Sequence, residues 1–218
     1  MYKLVIFDLD GIITDTAEYH YVAWKKLANN IGIDIDRAFN EQLKGVSRID
    51  SLEKILANNN LSNTYSEKDK AALADEKNNC YLLLIKQITP KDVLPGIIDL
   101  LKWLKQQGIY IALGSASRNA PAIVEGLEVT KYFDYIVNPD SVKMGKPAPD
   151  LFLEAAKHFE VAPAQCIVIE DASSGIKAAK DGLMYAVGVG NEEVLNLADM
   201  VVGTTDSLLD VIKKLIIY

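Results

Sequence analysis

Leu4-Val5-Ile6-Phe7-Asp8-Leu9-Asp10-Gly11 decides how the chain is organised: four apolar residues run straight into two carboxylates and a glycine. Paired carboxylates at the end of a core strand are costly unless a cation, hydrogen bonds or a proton compensates them, so they point to a cation and a reaction centre. An Asp-Gly turn closing a β-hairpin is the alternative. The residues that follow oppose it. After Ile12-Ile13-Thr14-Asp15 the pattern is helical, with Tyr19, Val22, Ala23, Leu27 and Ile31 spaced for one helix face.

Further along, short apolar runs at 4–7, 110–113, 135–137, 166–169, 185–189 and 200–202 read as strands. Helical patterns at 97–107, 120–127, 149–158 and 174–181 separate most of them. This alternation predicts an α/β fold: a Rossmann-like parallel sheet with helices on both faces, in which ligands collect beyond the carboxyl ends of the strands. The block from about 16 to 88 breaks the alternation and reads as an inserted all-helical unit. The expected division is therefore a core of 1–15 and 89–218 with a helical insert of 16–88. Prolines in Thr89-Pro90 and Leu94-Pro95-Gly96 mark the returning seam, and 58–66 reads as a loop between helices.

The chain has 218 residues, half of them hydrophobic, and can bury a sizeable core. A formal charge of −7 argues against nucleic acid or an anionic membrane surface as partner, since both demand basic patches. No apolar run reaches the length of a membrane span, and Asp8 and Asp10 interrupt any signal-peptide layout, so a cytoplasmic protein, expected to be a monomer, is the prediction. Cys80 and Cys166 lack ligand-spaced partners and read as free thiols.

Four features fall at predicted strand ends: Asp8 with Asp10, Ser115, Lys146 in Gly145-Lys146-Pro147, and Glu170-Asp171. Singly, Ser115 could be a turn residue, Lys146 a solvated charge and Glu170-Asp171 acids favoured near a helix start. Together they aim a nucleophile, a hydroxyl, an ammonium and a metal-seeking pair at one sheet edge. All candidate metal ligands are oxygens, which favours Mg²⁺ over zinc.

In this order the four features resemble the motifs of the haloacid dehalogenase-like superfamily of phosphotransferases, across essentially the whole chain. The resemblance implies a mobile helical cap entered just after Gly11. It also implies that Asp8 is the nucleophile that becomes phospho-aspartate, that Asp10 is the general acid and base, and that Ser115 and Lys146 bind the transferring phosphoryl group. Mg²⁺ would be held by Asp8, the main-chain carbonyl of Asp10, Glu170 and Asp171. The chemistry suits the residues, because a phosphoryl group repels a carboxylate nucleophile until a cation neutralises both.

Within the insert, Lys44-Gly45-Val46-Ser47-Arg48 leads the candidates for substrate contact, since Arg48 offers a fork of donors to a second phosphate. The longer stretch 40–48 that contains it, together with 15–20, Ser115-Ala116-Ser117-Arg118-Asn119 and 145–150, resembles the β-phosphoglucomutase family. That narrower likeness implies interconversion of β-glucose 1-phosphate and glucose 6-phosphate through a bound β-glucose 1,6-bisphosphate. Arg48, Ser117 and Asn119, assisted by Arg118, would hold the phosphate not being transferred. Ser51, His20 and Lys77 would sense closure or contact sugar. A capped sugar-phosphate phosphatase with the same core residues is the alternative; a non-catalytic receiver-like module, more distant, has no use for the insert. Two departures stand out: Arg118 where some members carry lysine, and Ala172 where a serine is common.

Overall fold

In the computed structural model, which describes residues 1–43 and 46–217, six parallel strands form one sheet: β1 (Leu4–Phe7), β2 (Tyr110–Leu113), β3 (Tyr135–Ile136), β4 (Cys166–Glu170), β5 (Tyr185–Val189) and β6 (Met200–Val202). Lys44 and Gly45, both named above, lie outside the described residues. The strand order is β3-β2-β1-β4-β5-β6, so the chain winds out to one side of β1 and then to the other. Phe7 pairs with Leu113 on one flank and Ile169 on the other, which brings the ends of β1, β2 and β4 level. The crevice at such a reversal of strand order is where this kind of sheet binds ligands. β1 is wholly buried, as a strand covered on both faces must be.

Helices α1 (Ala17–Asn30), α2 (Arg37–Glu41), α3 (Arg48–Asn58) and α4 (Glu67–Ile85) follow β1 directly. Helices α5 (Ile97–Gln106), α6 (Ala120–Gly126), α7 (Asp150–His158), α8 (Ser173–Asp181) and α9 (Leu208–Ile217) flank the sheet. One core cluster sits on each sheet face, with Val5, Phe7, Ile167 and Ile169 on one and Leu4, Ile6, Phe152 and Val168 on the other, following the period-2 alternation of strand side chains. A third cluster lies within the insert, around Trp24, Leu27, Ile55 and Leu56. Ala23, Tyr81, Ile85 and Ile88 of the insert belong instead to a sheet-facing cluster, so the insert packs on the core through its own end helices.

One detail of α1 differs from the sequence expectation. Val22 is exposed, and Tyr19 and Ile31 only partly buried; the buried stripe is Ala23, Trp24, Leu27 and Ala28. The helix is rotated so that the indole of Trp24, which removes more apolar surface from water than a valine, faces inward.

The two chain segments joining insert and core run side by side. Leu94 N–H donates to the Ile13 carbonyl (2.9 Å), and the Thr14 hydroxyl donates to the Asp92 carbonyl (2.8 Å). No described helix is long and apolar enough to cross a membrane. Phe152, fully buried on α7, supports both the sheet and the site, its ring lying 4.9 Å from the Lys146 ammonium. Phe152→Ala should therefore cost about 3–5 kcal/mol in urea unfolding; a loss under 1 kcal/mol would contradict this packing.

Candidate active site

The loop after β1 is a tight turn. The Leu9 carbonyl accepts from the N–H groups of Ile13 (2.8 Å) and Thr14 (3.2 Å), while Leu9, Ile12 and Ile13 are fully buried and pin it. Gly11 has φ +75°, and a Cβ there would lie 2.1 Å from Asp171 Oδ2. Glycine is thus required both by conformation and by the approach of the β4 acid. Anchored this way, Asp8 is buried and Asp10 presents about a third of its side chain.

Beneath the cavity floor, the Lys146 ammonium donates to Asp8 Oδ1 (2.5 Å) and Glu170 Oε1 (2.7 Å). Burial opposes its charge, but the two carboxylates outweigh that and raise its pKa. Glu170 is fully buried; its other oxygen accepts from the Ala172 N–H (2.7 Å). Burial pushes its carboxyl up while Lys146 pulls it down. Gly175, in the first turn of α8, makes room for it, since a Cβ there would lie 1.8 Å from Oε1.

Asp8, Glu170 and Asp171 offer carboxylate oxygens that all lie within 4.8 Å of one another. Carboxylates gathered this closely suit a divalent cation, and an all-oxygen donor set fits a hard ion. Asp10's carboxylate is not in this group. Its Oδ1 accepts from the Thr16 hydroxyl instead, in keeping with the main-chain role toward a metal that the resemblance implies.

Above the floor lies a cavity of about 610 Å³ lined by residues from core and insert alike. Asp8, Asp10, His20, Val46, Ser47, Arg48, Ser51, Lys77, Ser115, Ala116, Ser117, Arg118, Asn119 and Asp171 all contribute to its wall. Lys146 and Glu170 do not; they support it from below, the Lys146 ammonium being engaged by Asp8 and Glu170.

The 115–119 loop is held by its own hydroxyls: Ser115 Oγ accepts from the Ser117 N–H (3.1 Å) and Ser117 Oγ from the Asn119 N–H (3.2 Å). Asn119 then reaches the insert, donating to Asn78 Oδ1 (2.9 Å). Arg118 donates to Asp140 through Nε (2.8 Å), and Arg48 lies 3.6 Å from Asp75. Burial and the nearby Arg118 lower the pKa of Arg48, a cost an anionic ligand would relieve.

Lys77 is buried, its Nζ 2.9 Å from His20 Nδ1 and over the rings of Trp24 (4.8 Å) and Tyr81 (4.6 Å). Burial, then Arg48, pulls its pKa down to about 7. His20 is lowered well below its usual value by burial and by Lys77, so it is neutral. Asp10 is pushed up to about 6 by burial and the Asp8 charge, against the restoring bond from Thr16.

Thr16, Trp24, Tyr81, Asn78 and Asp140 were not singled out from the sequence. Thr16 looks like an ordinary helix N-cap, yet Asp15 Oδ1 accepts the Ala17 N–H (2.9 Å) and leaves the Thr16 hydroxyl for Asp10. The others carry only core or surface signals.

Residues 2–182 match the haloacid dehalogenase-like hydrolase family. The chain is 50% identical to the β-phosphoglucomutase of Bacillus subtilis, over 94% of this chain and 91% of that one. It superposes on the crystal structure of β-phosphoglucomutase from Clostridium difficile with a TM-score of 0.96 and 49% identity, covering 98% and 96% of the two chains. A fructose-1-phosphate phosphatase of Escherichia coli is 36% identical over 86% of this chain and 96% of that one. The chain therefore belongs to the haloacid dehalogenase-like hydrolase family and, within it, groups with the β-phosphoglucomutases.

Proposed function

We propose that this enzyme interconverts β-D-glucose 1-phosphate and D-glucose 6-phosphate through a phospho-aspartate at Asp8 and a β-glucose 1,6-bisphosphate intermediate. The observation that carries this is one cavity holding a buried carboxylate, a second carboxylate poised near neutrality, and a separate pair of guanidinium groups, Arg48 and Arg118. A substrate with two phosphates needs both ends of such a site.

In one half, the C6 hydroxyl of β-glucose 1-phosphate attacks the phosphorus of phospho-Asp8 and gives its proton to Asp10 as the bond from phosphorus to the Asp8 oxygen breaks, which forms the bisphosphate. In the other half the bisphosphate has turned: an Asp8 oxygen attacks the C1 phosphorus in line, the bond from phosphorus to the C1 oxygen breaks, and Asp10 gives that oxygen its proton, which releases glucose 6-phosphate and restores the phospho-aspartate. A carboxyl with a pKa of about 6 serves both directions near neutral pH. Ser115 orients the transferring group; Lys146 holds Asp8 and Glu170 in place and reaches phosphate oxygens once they enter. Asp8, Glu170, Asp171 and the Asp10 carbonyl would hold Mg²⁺, which supplies charge neutralisation between nucleophile and phosphoryl group. No single donor suffices: such hydrolyses are accelerated up to about 10²¹-fold, roughly 28 kcal/mol, whereas one preorganised donor accounts for about 3–4.

Residues 16–88 act as a cap that closes over the substrate, moving about the paired segments near Ile13 and Leu94. Arg48, Ser117, Arg118 and Asn119 grip the distal phosphate; Val46, Ser47, Ser51, Ala116, His20 and Lys77 line the sugar, as would Lys44 and Gly45. Free thiols at Cys80 and Cys166 suit the cytoplasm, where we place the enzyme as a monomer.

Phosphorus NMR tests the assignment directly. β-Glucose 1-phosphate with Mg²⁺ and a trace of glucose 1,6-bisphosphate should give glucose 6-phosphate, and Asp8→Asn should abolish it. Inorganic phosphate without glucose 6-phosphate would establish a phosphatase instead.

Lys77 gives a second prediction. Its pKa falls from 10.5 in the unfolded chain to about 7 in the fold, so the unfolded state binds more protons between those values. The penalty for burying the cation is complete below pH 7 and fades as pH rises. Lys77→Met should raise the thermal midpoint more at pH 6 than at pH 9 while raising KM at least about tenfold, through loss of a charge-assisted hydrogen bond to a sugar hydroxyl. Equal midpoint changes at both pH values would refute the buried cation, and an unchanged KM its contact with substrate.

A further inference from the structure

Tyr81 is the largest side chain wholly removed from solvent, and its hydroxyl lies 3.0 Å from Thr16 Oγ1, also fully buried. Thr16 in turn bonds Asp10 Oδ1. A hydroxyl has one proton to give, and an ionised carboxylate can only accept. The Thr16 proton therefore goes to Asp10, and Tyr81 donates to Thr16, which fixes one direction along the chain of bonds. Burial, reinforced by the Asp10 charge, keeps the phenol protonated for this task.

We propose that Tyr81 is a positioning residue for Asp10: its hydroxyl, carried by α4 of the insert, orders the Thr16 hydroxyl that holds Oδ1, and so ties the aim of the acid–base carboxylate to the placement of α4. The proposal rests on the assignment of Asp10 as proton donor and acceptor. Holding Oδ1 leaves Oδ2, which lies 4.0 Å from His20 Nε2, for exchange with sugar hydroxyls. The Tyr81 ring also lies against two cavity-lining side chains of the insert, 4.2 Å from the His20 ring and 4.6 Å from Lys77 Nζ. Lys77 and Tyr81 are four residues apart and share one helix face. An anion that draws on Lys77 consequently pulls on the turn that carries the phenol.

Tyr81→Phe keeps the ring and removes only the donor. Loss of one hydrogen bond predicts a fall of about 3- to 10-fold in kcat, with KM within about twofold of wild type. Thr16→Val removes the middle of the chain, so the double variant should be no slower than Thr16→Val alone. An unchanged kcat in Tyr81→Phe would overturn the proposal. So would multiplying effects in the double variant, which is the result general loosening of the fold would give, even if Tyr81→Phe lowers the thermal midpoint. Should the wild-type enzyme release only inorganic phosphate, the mutase assignment fails. The same cycle is then scored on phosphate release, which needs Asp10 equally.

Discussion

The ammonium of Lys146, clamped between Asp8 and Glu170 where all three are buried, is the interaction on which the site depends. Two carboxylates buried beside each other without a counter-charge would repel and lack solvation, and the ammonium offsets both. Removing one partner of such a cluster strands the others, so the parts stand or fall together. The surrounding sequence serves that geometry. β1 and β4 are paired neighbours, so Phe7 and Ile169 deliver their acids at the same level. Gly175 leaves space for Glu170, the Ala172 N–H satisfies it, and Phe152 lies against the lysine. A serine at 172 would offer the same N–H, so Ala172 keeps the main-chain bond and forgoes only a hydroxyl.

Charge is distributed by locality rather than by total. The chain carries −7 overall, yet Arg48, Lys77 and Arg118 converge on one cavity. Their crowding is unfavourable by itself, as the lowered values of Arg48 and Lys77 record. Surface acids temper it: Asp75 lies beside Arg48 and Asp140 beside Arg118. Such a site is strained while it waits and is relieved by an anion. If the insert closes as proposed, that differential would favour closing on substrate rather than on water, because only the anion offsets the repulsion.

Much of the fold was legible because a parallel sheet demands it. β1, β2, β5 and β6 fall where apolar runs stand between helical patterns, and β4 runs one residue further, to Glu170. β3 is a two-residue edge strand, ending one residue short of the run that suggested it. The acids and Ser115 were legible because they follow closely on β1, β4 and β2, a position that can be counted along a sequence; Lys146 was expected at a strand end too, but it lies in the loop well beyond β3 and shortly before α7, and only its place in the order of motifs made it legible. Val22 was misjudged because several rotations of α1 fit the same apolar spacing, and only packing selects Trp24. Thr16 and Tyr81 were invisible for a different reason. A threonine at a helix start and a tyrosine in an amphipathic helix are satisfied by ordinary roles, and their meeting across 65 residues is a fact of tertiary structure.

That meeting bears on why the insert enters where it does. The segment leaving β1 carries Asp8, Asp10 and then Thr16 before α1 begins, so the acid–base carboxylate lies on the very strip of chain that tethers the insert. A cap attached elsewhere could cover the site but could not reach Asp10 through a six-residue leash. Here Thr16 leads into α1, which supplies His20, and α4, packed along α1, supplies Lys77 and Tyr81. Any displacement of this helix pair must reset the bonds to Asp10, because the Thr16 hydroxyl has only one proton to place. Asp8, held by Lys146 within the core, is spared that dependence. In the proposed mechanism nucleophile and proton carrier would thus answer to different bodies, one to the sheet and one to the insert, and substrate binding would bring the two into line.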